Sequence, residues 1–321
     1  MAIAKAQDTL IATVPARTKK EKLKRDFKRY YPLYILFLPI LVYFIIFRYT
    51  PIFLQFPLVF SQFRVNLGIW GSPWVGFDHF IRLFNSHDFM NVLSNTVVLF
   101  FLMLLFTFPP PIFLAILLHD MIARRAKRAC QTVLFVPHFF SWAIVYGICW
   151  ALFASSTGII NNIIREFGGV PINFFMSPTA FRPLIIGTAL WKGLGWGTII
   201  YLASLSSIDP QLYEAAMIDG AGPLQRVFRI TLPMLRPIMV FVLTLSMGGL
   251  LSVGGEQVLL FLSPATFDVG DVLTTWIYRR GIVQTDFSFA AAAGLFQNII
   301  GLILVLMANK ASQRFAGLGL W

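Results

Sequence analysis

Two charged residues, Lys192 and Glu256, lie inside long apolar stretches of the sequence. An unpaired charge at the centre of a bilayer costs at least about 2.5–3.5 kcal/mol on insertion scales, so each residue should face protein or a water-filled cavity. Both are therefore candidates for lining a path across a membrane. A structural alternative stays open, in which Lys192 extends to the interface or pairs with Glu256.

The sequence shows none of the residue patterns by which we would recognise an ATP site, an acid/base catalytic cluster or a metal site. The sequence has no Gly-x-x-x-x-Gly-Lys-Ser/Thr phosphate loop, so we expect no ATP site of its own. No acid/base cluster of the kind that a membrane-bound transferase needs is visible. The chain is predicted not to be an enzyme and to contain no catalytic residue. We also expect no metal site, because metal-binding spacing is absent around His79, His87, His119 and His138.

Composition defines the class of protein. Hydrophobic residues make up 57% and charged residues 12% of the 321 residues, where a soluble domain has about 45–50% and about 25%. The excess apolar surface requires lipid as its solvent, and apolar stretches occur along nearly the whole chain. We therefore predict one all-α integral membrane domain. The net charge of +12 is concentrated in the amino-terminal segment and the loops, which favours a lipid bilayer over nucleic acid as the partner.

Hydropathy predicts a six-span domain of residues 33–308 between a basic segment, 1–32, and a tail, 309–321. Residues 52–63 either lengthen the first span or lie at the interface. The triple proline at 109–111 should bend the second span, which is tolerable only where protein or a cavity covers the break. The predicted spans are 33–47, 92–118, 133–153, 184–205, 238–262 and 289–308.

The distribution of Lys and Arg predicts the orientation. The amino-terminal segment has nine such residues and no cleavage pattern after it, which favours an uncleaved first span over a signal peptide. Together with the loop after span two, the stretch 209–237 and the tail, one side carries eighteen of these residues and the other side seven. The side with eighteen is predicted to be cytoplasmic, with both termini there.

The stretch 209–237 is a dense polar segment between apolar runs. Asp209 is a suitable N-cap with Pro210 at the first helical position, and Gly220 ends the helix. A second short helix is predicted over about 222–231, before two prolines interrupt the chain. Neither helix is long enough to cross a bilayer, so the stretch is predicted to be a helix-turn-helix on which a partner docks.

The spacing within this stretch resembles the EAA signature of permease subunits of binding-protein-dependent ABC importers. Glu214-Ala215-Ala216 is followed after three residues by Gly220, and then after nine by Ile230, one residue and Leu232-Pro233. In that family the element is a cytoplasmic helix-turn-helix that docks on the ATPase subunit. The resemblance implies this role for Tyr213, Glu214, Ala215, Ala216, Asp219, Gly220, Ile230, Leu232 and Pro233.

Further motifs along nearly the whole chain are similar to permeases of oligosaccharide and polysaccharide importers, alginate importers among them. The triple proline and the Gly254-Gly255 pair depart from the family pattern. The matching motifs are Arg48-Tyr49-Thr50-Pro51, Ser72-Pro73-Trp74-Val75-Gly76-Phe77, Asn95-Thr96, Trp191-Lys192-Gly193-Leu194-Gly195-Trp196, Gly255-Glu256-Gln257, Tyr278-Arg279-Arg280-Gly281 and Gly319-Leu320-Trp321.

The resemblance implies a multi-pass protein of a bacterial cytoplasmic membrane that helps to import a sugar by alternating access. The implied partners are a second, related permease, two ATPase subunits and an extracytoplasmic sugar-binding protein. ATP and Mg²⁺ would bind in the ATPase subunits, and this chain would hold no cofactor.

The implied substrate path combines aromatic, amide and charged side chains. Aromatic and amide groups suit a neutral sugar, whereas the basic residues of the set would attract an acidic glycan. The arginines can instead pair with aspartates of the neighbouring loops, so both substrate classes stay open. The path residues are Trp191, Lys192, Trp196, Glu256, Gln257, Arg279, Arg280, Gln297 and Asn298.

A secondary transporter or channel is the alternative function. It would use Lys192 and Glu256 for ion coupling and would need no ATPase. An inverted repeat would favour it, and the EAA spacing argues against it.

Overall fold

The computed structural model describes residues 19–317 and 319. Most of the predicted basic segment, up to residue 18, lies outside the described residues, as do residues 318, 320 and 321 of the tail. The described part is nearly all helical and contains no β-strand, only isolated bridges such as that between Ser61 and Trp74. The chain divides into two compact units, Met1–Pro57 and Leu58–Trp321.

The α-helices of the described residues are connected by short loops and by single π or 3₁₀ turns. They are α1 (Lys19–Phe44), α2 (Thr50–Phe60), α3 (Gly68–Gly71), α4 (Asp78–Phe84), α5 (His87–Thr107), α6 (Pro109–Asp120), α7 (Arg124–Phe135), α8 (Trp142–Phe153), α9 (Ile159–Glu166), α10 (Pro178–Leu205), α11 (Pro210–Ile218), α12 (Pro223–Arg226), α13 (Leu232–Gly248), α14 (Gly255–Phe261), α15 (Phe267–Gly270), α16 (Leu273–Tyr278) and α17 (Phe287–Ala316).

The first apolar helix is longer than the predicted span 33–47. Residues Asp26–Phe60 form one helical stretch of 35 residues, in which a π turn at Ile45–Tyr49 joins α1 to α2. The hydroxyl of Thr50 donates to the carbonyl oxygen of Ile45 at 2.8 Å and helps to carry the helix past Pro51. Residues 52–60 therefore continue the helix, as the alternative of a longer first span requires.

The triple proline lies inside a single stretch, His87–Asp120, of 34 residues. Phe108 keeps helical angles (φ −78°, ψ −47°) and places the prolines at the start of α6, where a missing N–H costs least. An added Cβ on Gly197 of α10 would lie 3.1 Å from the Pro111 ring, so the two helices pack closely there. Pro111 also lines a cavity of about 260 Å³. Protein and a cavity thus cover Pro111, the last of the three prolines.

The predicted third span, 133–153, is not one continuous helix. A 3₁₀ turn at Val136–Phe139 extends α7, α8 begins at Trp142, and the two parts are bent by 104°. Pro137 lies in the 3₁₀ turn, and the hydroxyl of Ser141 accepts from the Ile144 N–H at 3.3 Å to begin α8. Hydropathy did not reveal the break because the residues on both sides of it are apolar.

The fourth and sixth predicted spans lie within longer helices. α10 begins at Pro178 instead of residue 184, because Pro178 is favourable in the first helical turn and Pro183 is tolerated inside the helix. α17 begins close to the predicted residue 289 and continues beyond 308 into the predicted tail.

The fifth predicted span, 238–262, differs most from the structure. The stretch Pro223–Gly248 is one helix of 26 residues, so the predicted second short helix merges with the span. A π turn at Val227–Thr231, closed by the Leu232 N–H to the Val227 carbonyl, precedes Pro233 and accommodates it. After Gly248 the helix ends, and Gly254, with φ of 75°, precedes the separate helix α14.

The number of spans can be compared with the predicted six. By length and composition, four helical stretches could cross a membrane, and the bent α7–α8 pair makes a fifth. The remaining predicted span corresponds to α10, whose 28 residues give a length of about 42 Å. That length exceeds a bilayer core of about 30 Å. α10, which contains Lys192 and several glycines, is not among the four stretches that qualify by length and composition.

Three buried apolar clusters hold residues 58–321 together. The first surrounds Trp276 and Phe89, the second surrounds Phe181 and Phe261, and the third surrounds Tyr201 of α10. Each cluster includes or packs against residues of α5 or α6 and of α10, α13 or α17, so these long helices form the frame that positions the loops.

Candidate coupling surface and translocation path

In the helix-turn-helix at residues 209–231, the first helix and the turn that follows it form as predicted. The Asp209 carboxylate accepts from the Gln211 N–H at 2.9 Å and caps α11. Gly220 has φ of 79°, its N–H bonds to the Met217 carbonyl, and the Ala221 N–H bonds to the Ala216 carbonyl. These two bonds form a Schellman motif, which satisfies the carbonyls at the end of α11.

Contacts between the two arms hold this turn. The Tyr213 hydroxyl lies 3.1 Å from the Thr231 hydroxyl, and Thr231 is buried. The Tyr213 ring also lies 6.3 Å from the ring of His119 at the end of α6. Tyr213 therefore has a structural contact besides its predicted docking role, and the loop after α6 lies beside α11.

The outer surface of the helix-turn-helix is partly apolar. Ile218 is 87% exposed, Leu224 72% and Phe228 65%. Glu214 and Ala215 are also exposed, whereas Ala216 is half-buried. Of the remaining predicted coupling residues, Asp219, Gly220 and Pro233 are exposed, and Ile230 and Leu232 are half-buried. Exposed large apolar side chains between polar ones are typical of a surface that another protein covers.

Lys192 of α10 contacts the break between α7 and α8. Its ammonium donates to the carbonyl oxygens of His138 and Phe140, both at 2.6 Å, and lies 5.5 Å from the Trp142 ring centre. Neither a hydrogen bond nor an ion pair joins Lys192 to Glu256, although the structure describes both residues. The alternative of a Lys192–Glu256 pair is therefore not what the structure shows, and the lysine instead makes two hydrogen bonds to backbone carbonyls.

The two predicted path tryptophans lie against the same break. The Trp196 ring stacks on the His138 ring at 4.5 Å with an interplanar angle of 5°, and the Trp191 ring lies 6.2 Å from the Phe140 ring. Both tryptophans remain partly exposed, at 42% for Trp191 and 50% for Trp196. The structure thus brings Trp191, Lys192 and Trp196 together with residues 138–142, a segment whose role sequence reasoning missed.

The polar residues near α14 divide into a buried and an exposed set. Gln257 is 2% exposed, and its amide donates to the Ile185 carbonyl and the Thr188 hydroxyl at 2.7 and 2.8 Å. Both hydrogen bonds of the Gln257 amide nitrogen are therefore made to residues of α10. Glu256 and Asn298 are exposed, and the Gln297 amide donates to the Ser252 hydroxyl at 3.0 Å.

The two predicted path arginines are paired within the protein. Arg279 forms a salt bridge with Asp271, which is only 3% exposed, and its guanidinium lies 4.2 Å from the Phe267 ring centre. Arg280 pairs with the exposed Asp88 at 3.2 Å. Burial raises the pKa of Asp271, while the Thr275 hydroxyl and Arg279 oppose the rise. The pairing alternative from the sequence, with Asp268, Asp271 or Asp286 as partners, therefore describes Arg279, whereas Arg280 is paired with an aspartate that the sequence did not suggest.

A polar clamp that sequence reasoning did not assign fixes the loop before α16. The Asn95 amide donates to the Asp268 carbonyl at 2.9 Å and accepts from the Arg182 guanidinium at 2.9 Å. Thr96 accepts from the Leu273 N–H at 2.8 Å. Asn95-Thr96 had been recognised only as a family motif, and an Asn-Thr pair inside an apolar run is the signal that could have predicted the clamp.

These features describe a helical protein with several apolar stretches that are long enough to cross a membrane. Residues 89–316 match the family model described as binding-protein-dependent transport system inner membrane component, and the chain belongs to this family of ABC importer permeases. It is 42% identical over 308 residues to the polygalacturonan/rhamnogalacturonan transport system permease protein YteP of Bacillus subtilis (strain 168), covering 94% of this chain and 95% of that one.

Two further similarities agree with this assignment. The chain is 30% identical over 288 residues to the arabinooligosaccharides transport system permease protein AraP of Bacillus subtilis (strain 168), covering 89% and 90% of the two chains. A chain in the crystal structure of a bacterial alginate ABC transporter, in complex with alginate pentasaccharide-bound periplasmic protein, matches with a TM-score of 0.85 and 38% identity. The match covers 93% of this chain and 100% of that one.

Proposed function

We propose that this chain, a permease subunit of an oligosaccharide ABC importer, forms half of the translocation path and is coupled to ATPase subunits through residues 209–233. The exposed apolar surface formed by Ile218, Leu224 and Phe228 on the helix-turn-helix is the observation that carries the coupling proposal. Larger exposed apolar patches with polar residues around them mark sites at which another protein binds. A second permease, two ATPase subunits and an extracytoplasmic binding protein complete the complex, and ATP and Mg²⁺ bind in the ATPase subunits.

The orientation is part of the same proposal. The helix-turn-helix and both termini lie on the cytoplasmic side, because eighteen of the Lys and Arg residues belong to loops and termini of that side. The contact between Tyr213 and His119 supports this arrangement, since it joins two loops that were assigned to the same side.

The proposed cargo is an oligosaccharide that contains uronic acids. Relatives named for polygalacturonan/rhamnogalacturonan and for alginate transport support it, because these three polymers are acidic. The paired state of Arg279 and Arg280 argues that these two residues are not the ones that select for charge. The aromatic surface of Trp191 and Trp196 is available to stack on sugar rings whatever their charge.

Reconstitution tests the function as a whole. The purified complex in proteoliposomes, with its binding protein, should hydrolyse ATP faster when uronate oligosaccharides are added and should accumulate them. Stimulation by neutral oligosaccharides alone would contradict the acidic cargo, and uptake that follows an ion gradient without ATP would favour the secondary transporter.

A further inference from the structure

The start of α7 carries a dense positive patch. Arg124, Arg125, Lys127 and Arg128 occupy four of the first five positions of this helix, and the nearest acid in the sequence is Asp120 at the end of α6. In the orientation proposed above, the patch lies on the cytoplasmic side. Its three arginines form what we term the α7 arginine cluster.

The α7 arginine cluster has no carboxylate partner. All three arginines are exposed, and none of them forms a salt bridge within the described residues 19–317 and 319. Asp120 lies 3.2 Å from the His119 ring nitrogen instead. The half-buried Lys127 donates to the His119 carbonyl at 3.5 Å, which ties it to the end of α6. The three guanidinium groups are therefore free to bind a partner outside the chain.

The positions of the arginines are unfavourable for an isolated helix. Arg124 and Arg128 are four residues apart, and Arg125 and Arg128 are three apart, so these side chains are neighbours on the helix and repel one another. The cluster also lies at the end of α7 where the helix dipole is positive. A bias of positive charge towards the cytoplasm requires neither feature, whereas an anionic partner offsets both penalties.

Exposed apolar side chains show at which level of a membrane the cluster lies. Ile122, two residues before the cluster, is 96% exposed, and Leu117 near the end of α6 is also exposed. Val133 is exposed as well and lies five residues, or about 8 Å, beyond Arg128 along α7. Both helices belong to stretches that are apolar enough to cross a membrane. The cluster is therefore at the boundary between an apolar exposed surface and water, which is where lipid headgroups lie.

We propose that the α7 arginine cluster binds the headgroup phosphate of an anionic phospholipid in the cytoplasmic leaflet. A planar guanidinium binds phosphate oxygens in pairs, so Arg124 and Arg128 can hold one phosphate from two sides. Basic clusters directly beside a membrane-spanning segment are typical of binding to anionic lipids. The acyl chains would cover Ile122 and Val133, which a soluble acidic partner would leave exposed. The location rests on the proposed orientation, but the binding requires neither sugar nor ATP hydrolysis.

Cys130 provides a reporter for the test, because it lies two residues beyond Arg128. It is exposed, whereas the second cysteine, Cys149, is buried, so a maleimide fluorophore attaches at Cys130. The labelled chain in its complex is reconstituted in phosphatidylcholine vesicles that contain a small fraction of spin-labelled phosphatidylglycerol or of spin-labelled phosphatidylcholine. Quenching of the fluorophore measures which lipid lies beside α7.

Wild type should show stronger quenching by phosphatidylglycerol. Arg124→Gln with Arg128→Gln should lower the preference for this lipid about tenfold or more, since each arginine at an anionic surface contributes about fivefold. High salt should lower the wild-type preference in the same direction, because it screens exposed charges.

Lys310→Gln with Arg314→Gln is the matched control. These two basic residues are also exposed and four residues apart, but they lie towards the carboxyl end of α17, where a positive charge is favourable. The control removes the same charge from the same side of the protein. It should leave the quenching preference at Cys130 unchanged.

Thermal unfolding gives an independent readout in which the sign changes with the lipid. In micelles with phosphatidylcholine, Arg124→Gln with Arg128→Gln should melt at the wild-type temperature or above it, because the repulsion is relieved. Added phosphatidylglycerol should stabilise wild type more than this variant.

Equal quenching of wild type by the two lipids would overturn the proposal, as would an unchanged preference in the arginine variant. If the fluorophore is shielded from both lipids and the arginine variant releases the ATPase subunits, the cluster faces the ATPase and the lipid assignment is wrong.

Discussion

The Lys192 ammonium donates a 2.6 Å hydrogen bond to the carbonyl oxygen of His138, and a second bond of equal length to that of Phe140. These carbonyls lie where the helical ladder stops between α7 and α8, so no backbone N–H of the helix is available to them. A positive charge at the carboxyl end of a helix is also favourable. The lysine therefore replaces backbone donors at a broken helix and receives its own partners inside an apolar region.

This relationship predicts the effect of Lys192→Met. The variant should lower the free energy of unfolding by roughly 2 kcal/mol, because two carbonyl oxygens lose a charge-assisted donor. A lower midpoint of thermal unfolding in detergent would measure it. Lys192→Arg should lose less, since it keeps the charge and the donors. The ratio of uronate to neutral uptake should stay constant, and wild-type melting with an altered ratio would contradict the structural role.

Local chemistry was predictable, and contacts between distant residues were not. The turn at Gly220 follows from an N-cap, a helix and a glycine that lie within a dozen residues. The local sequence was therefore sufficient to predict this turn. The carbonyls at the break between α7 and α8 are bonded by Lys192, which lies 54 residues from His138. The pairing of Arg280 with Asp88 joins residues 192 positions apart. Hydropathy located the apolar segments, but it contains no information on such partners.

The glycines of α10 offer a test of helix packing. A Cβ on Gly195 would overlap the backbone carbonyl of Leu134, whereas a Cβ on Gly193 would meet nothing within 4 Å. Gly195→Ala should therefore destabilise the protein by about 2 kcal/mol or more and lower its yield, because α7 must move. Gly193→Ala should be neutral or slightly stabilising. Thermal unfolding of both variants measures the contrast, and equal midpoints would rule out the close crossing.

Gly220 and Gly222 provide a matched pair in the helix-turn-helix. Gly220 has φ of 79°, while Gly222 has φ of −67° and open space around it. Gly220→Val should cost about 1–2 kcal/mol locally and misplace α11, because a β-branched residue resists the left-handed conformation. Transport-coupled ATPase activity should fall several-fold in Gly220→Val and stay near wild type in Gly222→Ala. Normal coupling in an assembled Gly220→Val complex would contradict the proposed docking role.

Charge reversal at Glu214 tests the docking surface itself. Glu214 is exposed on α11, where it can accept a charge-assisted hydrogen bond from a basic group of the ATPase. Glu214→Lys should leave the melting temperature unchanged and reduce sugar-stimulated ATP hydrolysis by about tenfold or more. Glu166→Lys, an exposed reversal in α9 on the side proposed to be extracytoplasmic, is the control and should retain coupling. Equal activity of the two variants would place the ATPase elsewhere.

The last prediction compares the two adjacent arginines. Arg279 neutralises Asp271, which is buried and accepts a further 2.8 Å hydrogen bond from Thr275, whereas the partner of Arg280 is the exposed Asp88. Arg279→Gln should destabilise the protein by about 3 kcal/mol near neutral pH, because it leaves a carboxylate buried without its counter-ion. Arg280→Gln should cost less than about 1 kcal/mol, since exposed ion pairs contribute little.

The pH dependence of the stability of Arg279→Gln tests whether the buried Asp271 carboxylate causes the destabilisation. Burial already raises the pKa of Asp271 above its ordinary value of 3.8, and loss of the guanidinium removes an opposing effect, so the folded-state pKa rises further. A carboxyl with a raised pKa binds its proton more tightly in the folded than in the unfolded state, so stability falls as pH rises through the folded-state pKa. Thermal midpoints of Arg279→Gln should therefore decrease more than those of wild type as the pH rises above 3.8, the ordinary pKa of this carboxyl. Arg279→Gln with Asp271→Asn should remove this extra slope and recover part of the stability, and a slope that persists in the double variant would show that Asp271 is not the titrating group.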